Sequence, residues 1–273
     1  QDMSHQRCLE ALAKHMDYNG LRREQDECRR EGFQRGIGIA AFIKGTAPGP
    51  AGYYGTGGAP IASQDACTVK LEPSGGVICM VGVTDQGQGV DTIMGQIAAS
   101  AIGVPIEHVR VIEGDTDAVP YGGGTYASRA TAIGGEATYQ ASLTLREEIL
   151  VIAGALLQAE PETLDIVDGN IVNKIDKNIR IPLSEIGRIG HFQVAELPNH
   201  IQPTLSVTHR FRLHDALYIF TNGIQGAHVE VDIDTGFVKL LKHWVVEDCG
   251  RVISPQLADE QVRGGCVQGI GGA

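Results

Sequence analysis

The segment Val77-Ile78-Cys79-Met80-Val81-Gly82-Val83-Thr84-Asp85-Gln86-Gly87-Gln88-Gly89 limits the folds open to this chain more than any other stretch. Its first seven residues form an apolar run of strand character. From Asp91 to about Ile102, residues Ile93, Met94, Ile97, Ala98 and Ala101 recur at helical spacing, and Pro105 ends the pattern. A strand that feeds a helix through a glycine-rich turn is a building block of layered α/β folds. Such a turn presents backbone N–H groups beside the positive end of the helix. Gln86 and Gln88 can each donate and accept hydrogen bonds. Two readings stand side by side at this point: a purely structural turn, or a seat for a phosphorylated or heterocyclic cofactor.

The flanking chain repeats the theme. Residues Ile61 to Val83 read as two strands joined at Pro73-Ser74-Gly75-Gly76, a hairpin. Val109-Arg110-Val111-Ile112 is a short strand. The loop Tyr121-Gly122-Gly123-Gly124-Thr125-Tyr126-Ala127-Ser128-Arg129 then leads into a long helix from near Ala130 to about Glu160, stopped by Pro161. Leu164 to Asn173 is a second hairpin turning at Asp168-Gly169, and Pro182 to Ile186 suits a short helix. Residues Leu205 to Leu213 form a further strand, and a third hairpin turns at Asp234-Thr235-Gly236. Strand character runs on to Val246, followed by Glu247-Asp248-Cys249-Gly250 and a helix from about Pro255.

At the N-terminus, Ser4 suits an N-cap, with Cys8, Leu9, Leu12, Ala13 and Met16 at helical spacing. Gly20 separates this helix from a polar one over Leu21 to Glu31, and Gly36 to Ile43 reads as a buried strand. Thr46 to Pro60 is a loop carrying Tyr53 and Tyr54, either functional or mobile. The expected fold class is α/β (α+β): two mixed-sheet units with helices packed on one face. The division is 1–60 as an entry segment and glycine-rich loop, 61–180 as a first α/β subdomain and 181–273 as a second, truncated one.

Charge and cysteine use narrow the function. A net charge of -11 argues against nucleic acid as partner. The pairs Arg22-Arg23 and Arg29-Arg30 alternate with acids and read as a solvated helix face. Cysteines 8, 28, 67, 79, 249 and 266 include no CxxC, so a reducing, cytoplasmic setting is the simpler expectation. No segment has the uninterrupted apolar length of a membrane span. Glycine is abundant, 36 in 273 residues, without a collagen repeat, which suits turns and close backbone approaches. The chain starts at Gln1 in a helical pattern and stops at Gly269-Ile270-Gly271-Gly272-Ala273, so a piece of a longer protein is expected.

Individual residues are ambiguous. Ser128 and Arg129 could hold a phosphate, or be a capped helix start with a surface arginine. Asp248 could accept from a heterocycle, or be a turn aspartate. Cys249 has no adjacent histidine and is a poor nucleophile candidate. His228 and Glu230 share a strand face but lack a third ligand, so no metal site is assigned. No GxGxxG followed by an acid points to a nicotinamide.

Taken in order, several phrases carry a resemblance: Arg35-Gly36-Ile37-Gly38-Ile39-Ala40, Asp85 to Gly89, Gly122 to Arg129, Glu247 to Pro255, and Gly264 to Gly272. The chain resembles the interior of the molybdenum-binding large subunit of the xanthine dehydrogenase and aldehyde oxidase family, over essentially its whole length. The resemblance implies part of a larger molybdopterin-binding domain with molybdenum on a pterin dithiolene, in the cytosine dinucleotide form common in bacterial members. It implies that Gln86, Gly87, Gln88 and Gly89 line the cofactor and that Thr125, Tyr126, Ala127, Ser128 and Arg129 form a second cofactor loop. Asp248, Cys249 and Gln268 would lie around the far pterin or nucleotide end. It further implies water-derived hydroxylation of an electron-poor carbon of an N-heterocycle, purine or aldehyde. Electrons would pass to 2Fe-2S and FAD partner subunits or domains, in a dimer of heterotrimers.

The family's catalytic glutamate belongs to a Gly-Glu-Gly-type phrase with no counterpart here, so no catalytic base is assigned, and neither Glu247 nor Glu260 takes that role. The fragment alone is expected to be inactive. Ser254 and Arg263 stand where the family often has asparagine and histidine. Two alternatives remain open: a non-catalytic binding or scaffold domain of the same fold, and a relative of the carbon monoxide dehydrogenase large chain.

Overall fold

A computed structural model describes residues 3–49, 64–119, 121–213 and 218–273. In chain order the helices are α1 (His5–His15), α2 (Tyr18–Arg30), α3 (Val90–Ile102), α4 (Gly135–Leu157), α5 (Leu183–Phe192) and α6 (Pro255–Gly272). The strands are β1 (Gln34–Thr46), β2 (Gln64–Leu71), β3 (Val77–Val81), β4 (Val109–Ile112), β5 (Leu164–Val167), β6 (Asn170–Asn173), β7 (Arg180–Pro182), β8 (Ser206–Arg212), β9 (Ile219–Val231) and β10 (Val238–Asp248). Among the described residues no helix is long and apolar enough to cross a membrane.

Two compact units emerge, and each is drawn from stretches far apart in sequence. One joins Gln1–Thr46 to Ile219–Val252, the other Ala47–Tyr218 to Ile253–Ala273. This differs from the contiguous division 1–60, 61–180 and 181–273, because β1 pairs along its whole length with β9 rather than with a sequence neighbour.

The first unit is a three-stranded antiparallel sheet in the order β1-β9-β10, with α1 lying on β9 and β10 and α2 on β1. Its core is small: Cys8, Leu12, Met16 and Ile224, with Leu21, Ile37, Trp244 and Val246 packed around them. Three expectations are corrected here. The side chain of Ser4 does not cap α1; its Oγ donates to Asp248 Oδ2 at 2.6 Å, a stronger partner than a helix amide. Gly20 lies within α2 rather than before it, and its N–H is capped by Asp17 Oδ1 at 3.2 Å. Strand β1 is not buried: Ile39 and Ile43 are 45% and 57% exposed, because β1 is an edge strand only partly covered by α2.

The second unit is built on a mixed four-stranded sheet in the order β4-β3-β2-β8, parallel between β3 and β4 and antiparallel elsewhere. Helices α3 and α4 pack on each other and on this sheet. The core runs from Val69, Cys79 and Val81 to Met94, Ala98, Leu145 and Ile149, all but fully buried. Hairpin β5–β6 forms as expected, with Asp168 and Gly169 both left-handed, as a two-residue turn of that hand requires. It joins β7 in a separate sheet, whereas β8 supplies the outer partner of β2. Of the expected loop Thr46–Pro60, Thr46 ends β1 and residues 50–60, with Tyr53 and Tyr54, lie outside the described residues, as do the expected strand residues 61–63.

Candidate functional site

Between β3 and α3, the turn from Thr84 to Gly89 is held by its own side chains. Asp85 Oδ1 accepts from the N–H of Gly87 at 2.6 Å and of Gly89 at 3.3 Å. The Gln86 N–H donates to Gln88 Oε1 at 2.6 Å, and the Asp85 N–H to Glu113 Oε1 at 2.9 Å. Partial burial opposes ionisation of Asp85, but the backbone N–H groups of Gly87, Gly89, Gln88 and Val90 together hold its carboxyl below the usual carboxylate range. Burial, reinforced by Asp85 and Asp91, pushes Glu113 up. Of the two ligands weighed for this turn, a phosphorylated or a heterocyclic group, the phosphorylated one would meet amide donors that already face a carboxylate. What remains toward solvent is amide chemistry. Gln86 and Gly87 are exposed, a Cβ at Gly87 would meet no atom within 4 Å, and Gln88 Nε2 has no partner among the described residues. That donor set suits a heterocycle rich in nitrogen and oxygen better than a phosphate.

The second loop is tied directly to the first. Thr125 Oγ1 accepts from Thr84 N–H at 2.8 Å and donates to Thr84 O at 2.8 Å. Gln86 Nε2 donates to Thr125 O at 3.2 Å. Beyond Thr125 the backbone bends through Ala127 and Ser128, with φ of 49° and 54°, both exposed. Consecutive left-handed residues other than glycine are strained and persist only where the surroundings impose them. Ala127 O is pinned by the Ala47 N–H at 2.9 Å.

Arg129 departs from both readings of its sequence position. It is neither a surface arginine nor a phosphate donor, being 1% exposed and turned inward. Its Nη1 donates to Asp65 Oδ2 at 2.7 Å and Gly124 O at 2.5 Å, and its Nη2 to Gln64 O at 2.6 Å. The guanidinium lies 5.3 Å from the centre of the Tyr126 ring. Gly123 is required by this packing, since a Cβ there would sit 2.7 Å from Nη2.

Asp248 ends β10 and Cys249 follows it, and both belong to the first unit, together with Ser4. The Ser4 hydroxyl, then the Gly250 N–H and the charge of Arg7, hold the Asp248 carboxyl below its ordinary value. Cys249 is exposed, and partial burial of its thiol with the carboxylates of Glu247 and Asp248 pushes that thiol up, away from nucleophilic use. Gln268 is exposed on α6. Gln86–Gly89 and Thr125–Ser128 are thus the predicted residues brought together by direct hydrogen bonds. Glu230 pairs with Arg35 at 3.0 Å, and among the described residues no three His, Cys, Asp or Glu side chains converge.

The sequence reading named Thr84 and Asp85 only as part of the turn, with no role of their own, and did not single out Asp65. Asp65 had one signal, a lone carboxylate in a strand whose other central residues are apolar or small.

Residues 11–273 match the family described as the molybdopterin cofactor-binding domain. The chain is similar to the nicotine 6-hydroxylase large subunit of Paenarthrobacter nicotinovorans, at 32% identity over 96% of this chain and 32% of that one. It is also similar to the carbon monoxide dehydrogenase large chain of Afipia carboxidovorans, at 29% identity over 94% of this chain and 32% of the relative. The crystal structure of quinoline 2-oxidoreductase from Pseudomonas putida 86 superposes with a TM-score of 0.87, at 30% identity, over 97% of this chain and 33% of that one. The chain thus spans about a third of the length of the relatives it matches.

Proposed function

This chain belongs to the molybdopterin cofactor-binding domain family, and from that premise we propose that it is part of the large subunit of a cytoplasmic molybdenum hydroxylase. The whole protein would hydroxylate an electron-poor carbon of an N-heterocycle with oxygen from water and pass electrons to iron–sulfur and flavin partners. The names nicotine 6-hydroxylase and quinoline 2-oxidoreductase favour an N-heterocycle over a purine or an aldehyde. When bound, the molybdenum–pterin group, here in its cytosine dinucleotide form, supplies the oxygen-transfer and redox chemistry, and the protein orients it.

One observation carries this reading. The turn Gln86–Gly89 and the loop Thr125–Ser128 are clasped through Thr125, Gln88 Nε2 has no protein partner among the described residues, and a Cβ at Gly87 would meet no atom within 4 Å. In this reading Gln86, Gly87, Gln88 and Gly89 bind the pterin edge, and Thr125, Tyr126, Ala127 and Ser128 present backbone and hydroxyl groups along it. Asp248, Cys249 and Gln268 serve the nucleotide end. Arg129 holds the second loop and leaves the ligand to its neighbours.

The test is metal and nucleotide analysis of the natively purified full-length protein. About one molybdenum per chain, with cytosine nucleotide released by acid, is the expected result. Absence of both would favour a non-catalytic domain of the same fold. The similarity to the carbon monoxide dehydrogenase large chain supports a second reading, with carbon monoxide as substrate. Turnover of carbon monoxide, with none of any N-heterocycle, would establish it.

A further inference from the structure

We infer that Asp65 is a positioning residue for the second loop: through Arg129 it holds residues 122–128 in the shape in which they meet the cofactor. The inference rests on the cofactor reading above for its ligand, and on geometry alone for the positioning. Asp65 is fully buried on β2, and both its oxygens are used. Oδ1 accepts from Ala66 N–H at 2.9 Å; Oδ2 accepts from Gly123 N–H at 3.2 Å and from Arg129 Nη1 at 2.7 Å.

Arg129 carries the constraint onward. The same Nη1 reaches Gly124 O, the flat guanidinium lies beside the Tyr126 ring, and Nη2 returns to β2 at Gln64 O. One carboxylate thus fixes three loop residues, Gly123, Gly124 and Tyr126, either directly or through the arginine fork. Close approach is built into the facing strand as well, since a Cβ on Gly82 would run into Asp65 Oδ1 and Tyr121 O.

Stability alone is a poor explanation for this pair. Buried ion pairs are commonly replaceable by apolar residues at no loss of stability. What an apolar pair could not do is hydrogen-bond Gly123 N–H, Gly124 O and Gln64 O at once. The loop needs such a support, because Gly124, Ala127 and Ser128 are all left-handed, with φ of 86°, 49° and 54°. Burial pushes the Asp65 carboxyl upward and Arg129 draws it back. The arginine fork, five donors in one plane, is suited to a site where several acceptors must be held in fixed directions.

The experiment uses the full-length protein, with and without cofactor. Asp65→Asn keeps the shape and removes the charge. The expected result is that amides of residues 122–128 in the apoprotein exchange about tenfold faster, while Val69 and Cys79 in the sheet core stay protected. Molybdenum per folded chain should fall in parallel. Arg129→Lys keeps the charge beside Asp65 but cannot fork to Gly124 O and Gln64 O, and should loosen the same amides. Wild-type exchange and molybdenum content in a folded variant would overturn the inference. So would loosening spread evenly over loop and core, or failure of both variants to fold, since the pair would then support the fold and not the loop. A wild-type protein without molybdenum or pterin would sink the cofactor reading and leave the exchange comparison standing.

Discussion

Thr125 Oγ1 accepts a hydrogen bond from the Thr84 backbone N–H and donates one to the Thr84 carbonyl, each at 2.8 Å. A single hydroxyl on the second loop thereby satisfies both backbone groups of a residue on the first. Thr125→Val preserves shape and removes both bonds, leaving half-buried polar groups unpaired. The expected loss is about 1–3 kcal/mol, with a lower molybdenum content per folded chain. Thr125→Ser retains the hydroxyl and should stay near wild type on both measures. Chemical denaturation and metal analysis of the three proteins test this, and equal values for valine and serine would refute it.

Gly89 joins the first loop to α6. Its φ is 79°, and a Cβ there would come within 2.7 Å of Leu257 Cδ1. Gly89→Ala should therefore carry two separable penalties, the left-handed backbone at about 1–2 kcal/mol and the displaced leucine. Leu257→Ala in the same chain relieves only the second. A double-mutant cycle should give a favourable coupling of about 0.5 kcal/mol or more. Strict additivity would mean that Leu257 does not seat on the loop.

Elements bounded by strong punctuation were legible in the sequence. Pro105 follows α3, Pro161 follows α4, and Asp168-Gly169 turns a hairpin. Partners were not legible. A period of two announces a strand but says nothing about its neighbour, so the pairing of Arg35 with Glu230 across 195 residues left no local trace. The apolar run Gly36 to Ile43 suggested burial, yet an apolar strand at a sheet edge carries the same letters. At the candidate site, the glycines marked two loops that the structure joins by hydrogen bonds, but they concealed what each glycine makes room for. Gly123 makes room for the guanidinium of Arg129, and a guanidinium read from sequence has no direction. Asp65 stood out only as a lone carboxylate in its strand, and nothing in the letters linked it to Arg129, 64 residues away.

Gln88 is the sharpest single test of the ligand-facing surface. Its Oε1 is committed to the Gln86 N–H at 2.6 Å, and its Nε2 has no protein partner among the described residues. Gln88→Glu keeps the acceptor and exchanges the donor for a charge. Because Gln88 is half-buried at a turn beside Asp85, stability should change by no more than about 1 kcal/mol. Losing one ligand hydrogen bond of about 1 kcal/mol should weaken cofactor retention roughly fivefold. Equilibrium dialysis against a pterin-nucleotide chelate reads this directly. Unchanged retention would remove Gln88 from the cofactor contacts.

His228 predicts an acid-sensitive first unit. It is 4% exposed on β9, with Nε2 buried and without a hydrogen-bond partner. Lys242 stands opposite on β10, Ile37 on β1, and the Arg35–Glu230 ion pair lies one step along the same face. Burial first, then the positive charge of Arg35, lowers its pKa against the opposing pull of Glu230. The sign follows from proton counting. Above the unfolded value of about 6.5 the imidazole is neutral in both states and contributes no pH dependence. Below it the unfolded chain binds a proton that the folded chain refuses, so stability falls as pH drops toward the lowered folded pKa, at up to about 1.4 kcal/mol per pH unit. Trp244, the only tryptophan of the 273 residues, lies in the same unit and reports its unfolding by fluorescence. Titrating wild type and His228→Gln in denaturant from about pH 7.5 to pH 5 should show their stability difference changing with pH below about 6.5. Parallel curves over that range would mean that His228 finds a partner for its proton in the folded chain.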